Sequence, residues 1–190
     1  MAEPVVLDLE TQYSFREKDN DTTKLKISVV GIYDYANDSY KAFFEDELSQ
    51  LWSILENASL IIGFNIIRFD FQVLAPYYVG NITKFPVLDL LDEVKESLGK
   101  RIALGELAKA TLESGKTGHG LLAIELYREN KLEELRKYCL DDVRLTRDLY
   151  EFGKKNGKVF YFSSRGKEEI RIDWGKKEIK EKSIDLTLPL

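Results

Sequence analysis

The stretch "VVLDLETQ" at residues 5–12 reads as a buried strand, yet it carries two carboxylates, Asp8 and Glu10, where apolar side chains are expected. Strand side chains alternate between faces, so Asp8 and Glu10 project together. Two like charges side by side oppose burial unless a positive charge lies between them, and a divalent metal ion meets that need. The alternative is a strand running out to solvent, with Glu10 and Thr11 already in a loop.

A third carboxylate lies in "IIGFNIIRFDFQVLAPYY". Helical spacing from Ile67 puts Asp70, Phe71, Leu74 and Tyr78 on one face, so Asp70 sits inside an apolar stripe while Arg68 and Gln72 lie opposite. An aspartate favoured by the dipole of a helix start is the competing account. The fourth lies in "LEELRKYCLDDVRLTRDLYEF". There Leu135, Tyr138, Cys139, Asp142, Thr146 and Leu149 form a single stripe, with Tyr138 one turn before Asp142, and Glu133, Lys137, Arg144 and Asp148 on the solvated side. A buried hydrogen bond from Tyr138 to Asp142 would account for this pair alone.

Three separate elements each place carboxylate on an apolar face, and that coincidence favours a shared site. Asp8, Glu10, Asp70 and Asp142 offer hard oxygen ligands that suit magnesium or manganese and not zinc. Two such ions, roughly 3.5 to 4 Å apart, clamp the attacking and leaving oxygens of a phosphodiester displacement.

The elements that must position these groups follow from pattern. Val5–Leu9, Lys24–Tyr35 and Ser39–Phe44 are rich in β-branched and aromatic residues and predict an opening antiparallel meander, with "FREKDNDTT" as a loop and "YAND" as a turn. A helix through Leu48, Leu51, Trp52 and Leu55 and a short buried strand in "SLIIGF" follow. Another helix is expected after Asn65, then a short strand in "KFPVLD", and helices through "LLDEVKESLG", Leu104–Leu112, Leu121–Arg128 and Leu132–Lys154. The segment "KVFYFSSRGKEEIRIDW" predicts a hairpin turning at Arg165 and Gly166, followed by a Lys/Glu-rich tail. The whole is an α/β layered domain: a central mixed sheet, antiparallel strands first and parallel strands after, flanked by helices. Residues 1–155 are expected to form the main domain, with the hairpin and charged tail of 156–190 packed on it.

"VVLDLET", "GFNIIRFD" and "YCLDDV" together resemble, in order and spacing, the three motifs of the DEDD (DnaQ-like) 3′-5′ exonuclease superfamily with a ribonuclease H-like fold. The resemblance spans about residues 4–150. Tyr138, four residues before Asp142, resembles the tyrosine subgroup (DEDDy), whereas Lys137 occupies the place of the histidine subgroup's histidine. The resemblance implies that Asp8 bridges two metal ions, that Glu10 and Asp142 complete the first and that Asp70 holds the second. It also implies that Tyr138 orients the attacking water and that Thr11, Asn65 and Phe69 position the terminal nucleotide. Asn65 as a helix cap and Phe69 as core are the plainer accounts of those two residues.

Composition bounds the remainder. With 190 residues, 44% hydrophobic and 32% charged, the chain is sized for one domain with a substantial core. A single cysteine, Cys139, excludes an intramolecular disulfide and multi-cysteine zinc sites, and fits a reducing compartment. The opening "MAEPVVLDLE" has no basic leader and no apolar run approaches a membrane span, so a cytoplasmic location with no membrane contact is expected. The net charge of −5 does not exclude nucleic acid, because bound divalent ions would grip phosphate themselves. The Gly-Lys-Thr of "SGKTGHG" is not a phosphate-binding P-loop, since Ala110 stands where the first glycine is required and a helix precedes it. Lys116 or His119 of that loop could still touch a nucleic-acid backbone, although a flexible connector is the plainer account. Asp89 in "VLDLLDEV" could join the acidic set, although a helix N-cap explains it.

The expected activity is metal-dependent removal of nucleotides from a single-stranded or frayed 3′ end, with DNA favoured over RNA and a helicase or polymerase as a possible partner. An RNA-directed or structure-selective nuclease on the same fold, and a non-catalytic nucleic-acid-binding accessory module, are the alternatives. The mutual repulsion of four carboxylates is costly without metal and weighs against the last.

Overall fold

The computed structural model describes residues 2–113 and 121–175. The loop of Gly115–Gly120 and the tail of 176–190 lie outside the described residues, and so do the expectations for Lys116 and His119.

A five-stranded mixed sheet forms the centre. Its strands are β1 (Val5–Thr11), β2 (Ile27–Asp34), β3 (Ser39–Phe44), β4 (Ile61–Gly63) and β5 (Val87–Asp89), in the order β3-β2-β1-β4-β5. The pairs β1–β2 and β2–β3 are antiparallel, while β1–β4 and β4–β5 are parallel, as the meander followed by alternating strands and helices predicts. β2 is buried along its whole length, which explains its nearly continuous apolar run, since a strand covered on both faces has no polar side to show.

Helices cover both faces. On one, Val5, Leu7 and Leu9 of β1 pack with Leu51 and Leu55 of α1 (Ser49–Asn57) and with Phe71 and Leu74 of α2 (Asp70–Leu74). On the other, Val6 of β1 and Ile62 of β4 pack with α3 (Leu90–Leu98), α4 (Leu104–Leu112) and the long α6 (Leu132–Asn156), while Val29 meets α5 (Leu122–Arg128) and α6. The alternation along β1 therefore sends Asp8 and Glu10 toward α6, on the face of Val6. The C-terminal hairpin of β6 (Lys158–Ser163) and β7 (Gly166–Arg171) turns at the expected place. It is seated by Val159, Ile170 and Trp174, and the fully buried indole of Trp174 stacks on Tyr150 of α6 at 6.3 Å between ring centroids.

Two local expectations are corrected. "FREKDNDTT" is not plain loop but carries two single-turn 3₁₀ segments, Phe15–Lys18 and Thr22–Lys24. The helix expected to run on from Asn65 begins only at Asp70 and lasts five residues, so Ile67 is exposed and does not share a face with Asp70. The reason is backbone geometry: Asn65 adopts a left-handed conformation, φ +66°, which no helix continues.

Candidate active site

The site lies where β1 ends against α6. A β-bulge between Glu10 and Thr11 breaks the β1–β2 register there, and the Thr11 hydroxyl donates to the Tyr13 carbonyl at 2.9 Å, turning the chain away from the sheet. α6 can approach because Gly31, paired opposite Asp8 on β2, presents no side chain. A Cβ at Gly31 would stand 2.9 Å from Cys139 Sγ and 3.0 Å from Val143, so any larger residue would push the helix off the sheet.

This close approach brings Asp142 to Asp8 and Glu10, and one carboxylate oxygen from each lies within 4.8 Å of the others. The predicted stripe of α6 is buried as a unit, Leu135, Tyr138, Cys139, Asp142, Thr146 and Leu149, while Lys137 and Arg144 are exposed. The neighbouring Asp141 faces outward and pairs with Arg144 at 3.3 Å. Burial and the charges of Asp8, Glu10 and Asp142 push the Cys139 thiol well up, so it stays protonated and packs as a small apolar group.

Asp70 stands at the first turn of α2, only 2% exposed, and its Oδ1 accepts the Leu9 N–H at 3.1 Å, which ties it to the strand segment between Asp8 and Glu10. Burial pushes its carboxyl well above the usual range. Its own N–H and that of Leu9 oppose the shift, while the charges of Asp89 and Glu10 add to it. Asp70 lies outside the tight group of three but lines the same cavity of about 270 Å³ as Asp8, Glu10 and Asp142.

The remaining predicted residues divide. Thr11 and Phe69 line the cavity. Asn65 does not, but sits in the turn between Phe64 and Phe69, which do. That turn folds tightly enough that a Cβ on Gly63 would come within 2.7 Å of the Ile66 side chain. Tyr138 is buried one turn before Asp142, packed with Val29, Ala123, Leu126 and Cys139, and is not among the residues that line the cavity.

Residues not anticipated from sequence supply the rim. Phe15 is 43% exposed, with its ring 5.5 Å from that of Phe69, and Phe64, Leu121 and Ile124 continue an apolar border around the acidic floor. A lone exposed phenylalanine after a bulge gives no periodic signal. Only its place between the first acidic motif and a polar loop could have marked it.

The donor set fits hard divalent cations. It is all carboxylate oxygen, it gathers negative charge where burial disfavours it, and it opens to a cavity.

The chain belongs to the RNase_H superfamily, which residues 5–152 match. Among solved structures it is similar in fold to the family B DNA polymerase from the hyperthermophilic archaeon Pyrobaculum calidifontis. The TM-score is 0.62 at 15% sequence identity, covering 80% of this chain and 24% of that one, so the chain spans about a quarter of the polymerase's length. The comparison with curated proteins finds no match. Among the described residues, no helix is long and apolar enough to cross a membrane.

Proposed function

We propose that the protein is a metal-dependent 3′-5′ exonuclease of the tyrosine subgroup, hydrolysing phosphodiester bonds at the 3′ end of single-stranded or frayed nucleic acid with two divalent cations, magnesium or manganese. The observation that carries this reading is the convergence of Asp8, Glu10 and Asp142, with Asp70 on the same cavity, in a chain of the RNase_H superfamily. DNA is favoured over RNA because the similar solved structure is a DNA polymerase.

Asp8, Glu10 and Asp142 would hold one cation, and Asp8 with Asp70 the other. When bound, these ions supply positive charge to the phosphate oxygens and acidify the attacking water. The chain's own groups do the positioning. The Tyr138 hydroxyl, one helical turn from Asp142, orients the water for attack on phosphorus. The bond to the 3′ oxygen of the preceding nucleotide breaks and a nucleoside 5′-monophosphate leaves. Thr11 and Asn65 hold the terminal sugar and phosphate. Phe69, with Phe15 beside it, offers an aromatic face for the terminal base, and the apolar rim limits water. Residues 1–155 are the catalytic domain, acting in the cytoplasm with a polymerase or helicase as partner.

The test is digestion of strands labelled at the 5′ end, as single-stranded DNA, duplex and RNA, with magnesium, manganese or excess chelator. A ladder shortening from the 3′ end, abolished by chelator and restored by either metal, is expected. Full activity in chelator, or shortening from the 5′ end, overturns the reading.

A further inference from the structure

Asp89 ends β5 and caps α3, but its carboxylate does more than a cap requires. Oδ1 accepts the N–H groups of Leu91 at 3.0 Å and Asp92 at 3.4 Å, the helix side of the contact. The same Oδ1 accepts the Asn65 N–H at 2.8 Å, and Oδ2 accepts the Ile67 N–H at 3.1 Å. The group is 4% exposed and joins the start of α3 to the turn that precedes α2. That turn reverses at Asn65, which holds φ +66°, a left-handed conformation that asparagine accepts more readily than most residues.

The Asn65 side chain is held from the other direction. Arg101, exposed on the connection between α3 and α4, donates from Nη2 to Asn65 Oδ1 at 2.6 Å. No carboxylate reaches Arg101 among the described residues, so most of its donor fork and its whole charge remain available beside the turn that presents Phe64 and Phe69 to the cavity. Arg68, in the same turn, pairs with Asp92 of α3 at 3.6 Å and is already engaged.

We infer that Asp89 and Arg101 form a clamp on the Asn65 turn, with Asp89 a positioning residue that fixes its backbone and Arg101 a substrate-binding residue that takes a phosphate of the strand while orienting Asn65. This rests on the nuclease reading above. A planar guanidinium with free N–H groups suits a phosphodiester, and an exposed cation on the turn whose Phe64 and Phe69 line the acidic cavity would recruit the anionic strand that the carboxylates alone repel. Asn65 then meets its nucleotide already oriented, its left-handed backbone held by the buried carboxylate.

Substitutions separate the two roles from mere stability. Asp89→Asn keeps one oxygen to cap α3, since asparagine caps as well as aspartate, but its amide cannot accept the Ile67 N–H. Arg101→Ala changes an exposed side chain and leaves the fold intact. Each variant is compared with wild type by melting, by kcat and KM on a 5′-fluorescein single-stranded DNA with magnesium, and by fluorescence anisotropy with the same strand in chelator, where nothing is cleaved. Arg101→Ala should weaken binding and raise KM about tenfold, with the loss falling on KM more than on kcat, and Arg101→Lys should recover part of it. Asp89→Asn should raise KM several-fold at a nearly unchanged melting temperature. If wild type cleaves and Arg101→Ala binds and turns over as wild type does, the clamp is wrong and the nuclease reading stands. The clamp is equally wrong if Asp89→Asn lowers the melting temperature without touching KM or binding. If wild type neither binds nor cleaves the strand, the nuclease reading falls and the clamp with it.

Discussion

Asp34 and Asp70 are both aspartates at strand or helix ends, 4% and 2% exposed, and the fold treats them in opposite ways. Asp34, at the end of β2 away from the cavity, has its carboxylate surrounded by donors: Lys41 Nζ at 2.9 Å, Asn37 Nδ2 at 2.7 Å and the Ala36 N–H at 3.1 Å. Burial pushes its carboxyl up, but these donors outweigh it and hold the group below the usual range. Asp70 receives backbone N–H donors and, among the described residues, no cation, while burial and then the charges of Asp89 and Glu10 push its carboxyl well up. One charge is neutralised inside the chain. The other is set against its neighbours, the setting in which the proposed metal ligand would gain from a bound cation.

The contrast can be broken by substitution. The largest effect is expected from Asp70→Asn: cleavage falls a thousandfold or more, about 4 kcal/mol of transition-state stabilisation, while the melting temperature in chelator holds or rises because a disfavoured charge is removed. A drop in melting temperature with cleavage retained would put Asp70 in the same class as Asp34. Next is Asp34→Ala, expected to cost about 2 kcal/mol of stability with cleavage within a few-fold of wild type, read by denaturant unfolding and by rate. Because the folded-state pKa of Asp34 lies below its unfolded value, its stabilising contribution is complete above about pH 4 and lost as pH falls through the lowered value. Stability of the Asp34→Ala variant should therefore converge with that of wild type below that window. Persistence of the full gap in strong acid would show that packing, and not the carboxylate, carries the loss.

The smallest effect is expected from Asp141→Asn. Its carboxylate is about one-third exposed and meets only Arg144 across one turn, a surface pair worth a few tenths of a kcal/mol. Cleavage and melting should both stay near wild type, whereas Asp142→Asn should abolish detectable cleavage. Inactivation by Asp141→Asn would shift the phase of α6 by one residue and dissolve the cluster.

Why that phase was legible in sequence, and other parts were not, follows from what local pattern encodes. The α6 stripe is long, so about four turns of spacing from Leu135 to Leu149 fix Asp142 inward and Asp141 outward. The alternation of β1 likewise fixes Asp8 and Glu10 on one face, and the match of strands to the mixed sheet follows from the same periods. The second motif was readable only in part. Asp70 is inward as the stripe required, but the helix start was misplaced because a single left-handed residue, Asn65, interrupts the pattern before it. Asp89 was legible as a cap, whereas its grip on Asn65 joins residues 24 apart and has no local signature. Gly31 and Phe15 were silent for the same reason, since a missing side chain and an isolated aromatic acquire meaning only against what they face.

The short approach of α6 across Gly31 also has a consequence in the order of synthesis. Asp8 and Glu10 leave the ribosome in the first strand, and Asp142 follows only after most of the chain. A nascent protein holds the first two carboxylates long before the helix that completes the group of three can dock, so on the proposed nuclease reading cleavage would wait for that docking.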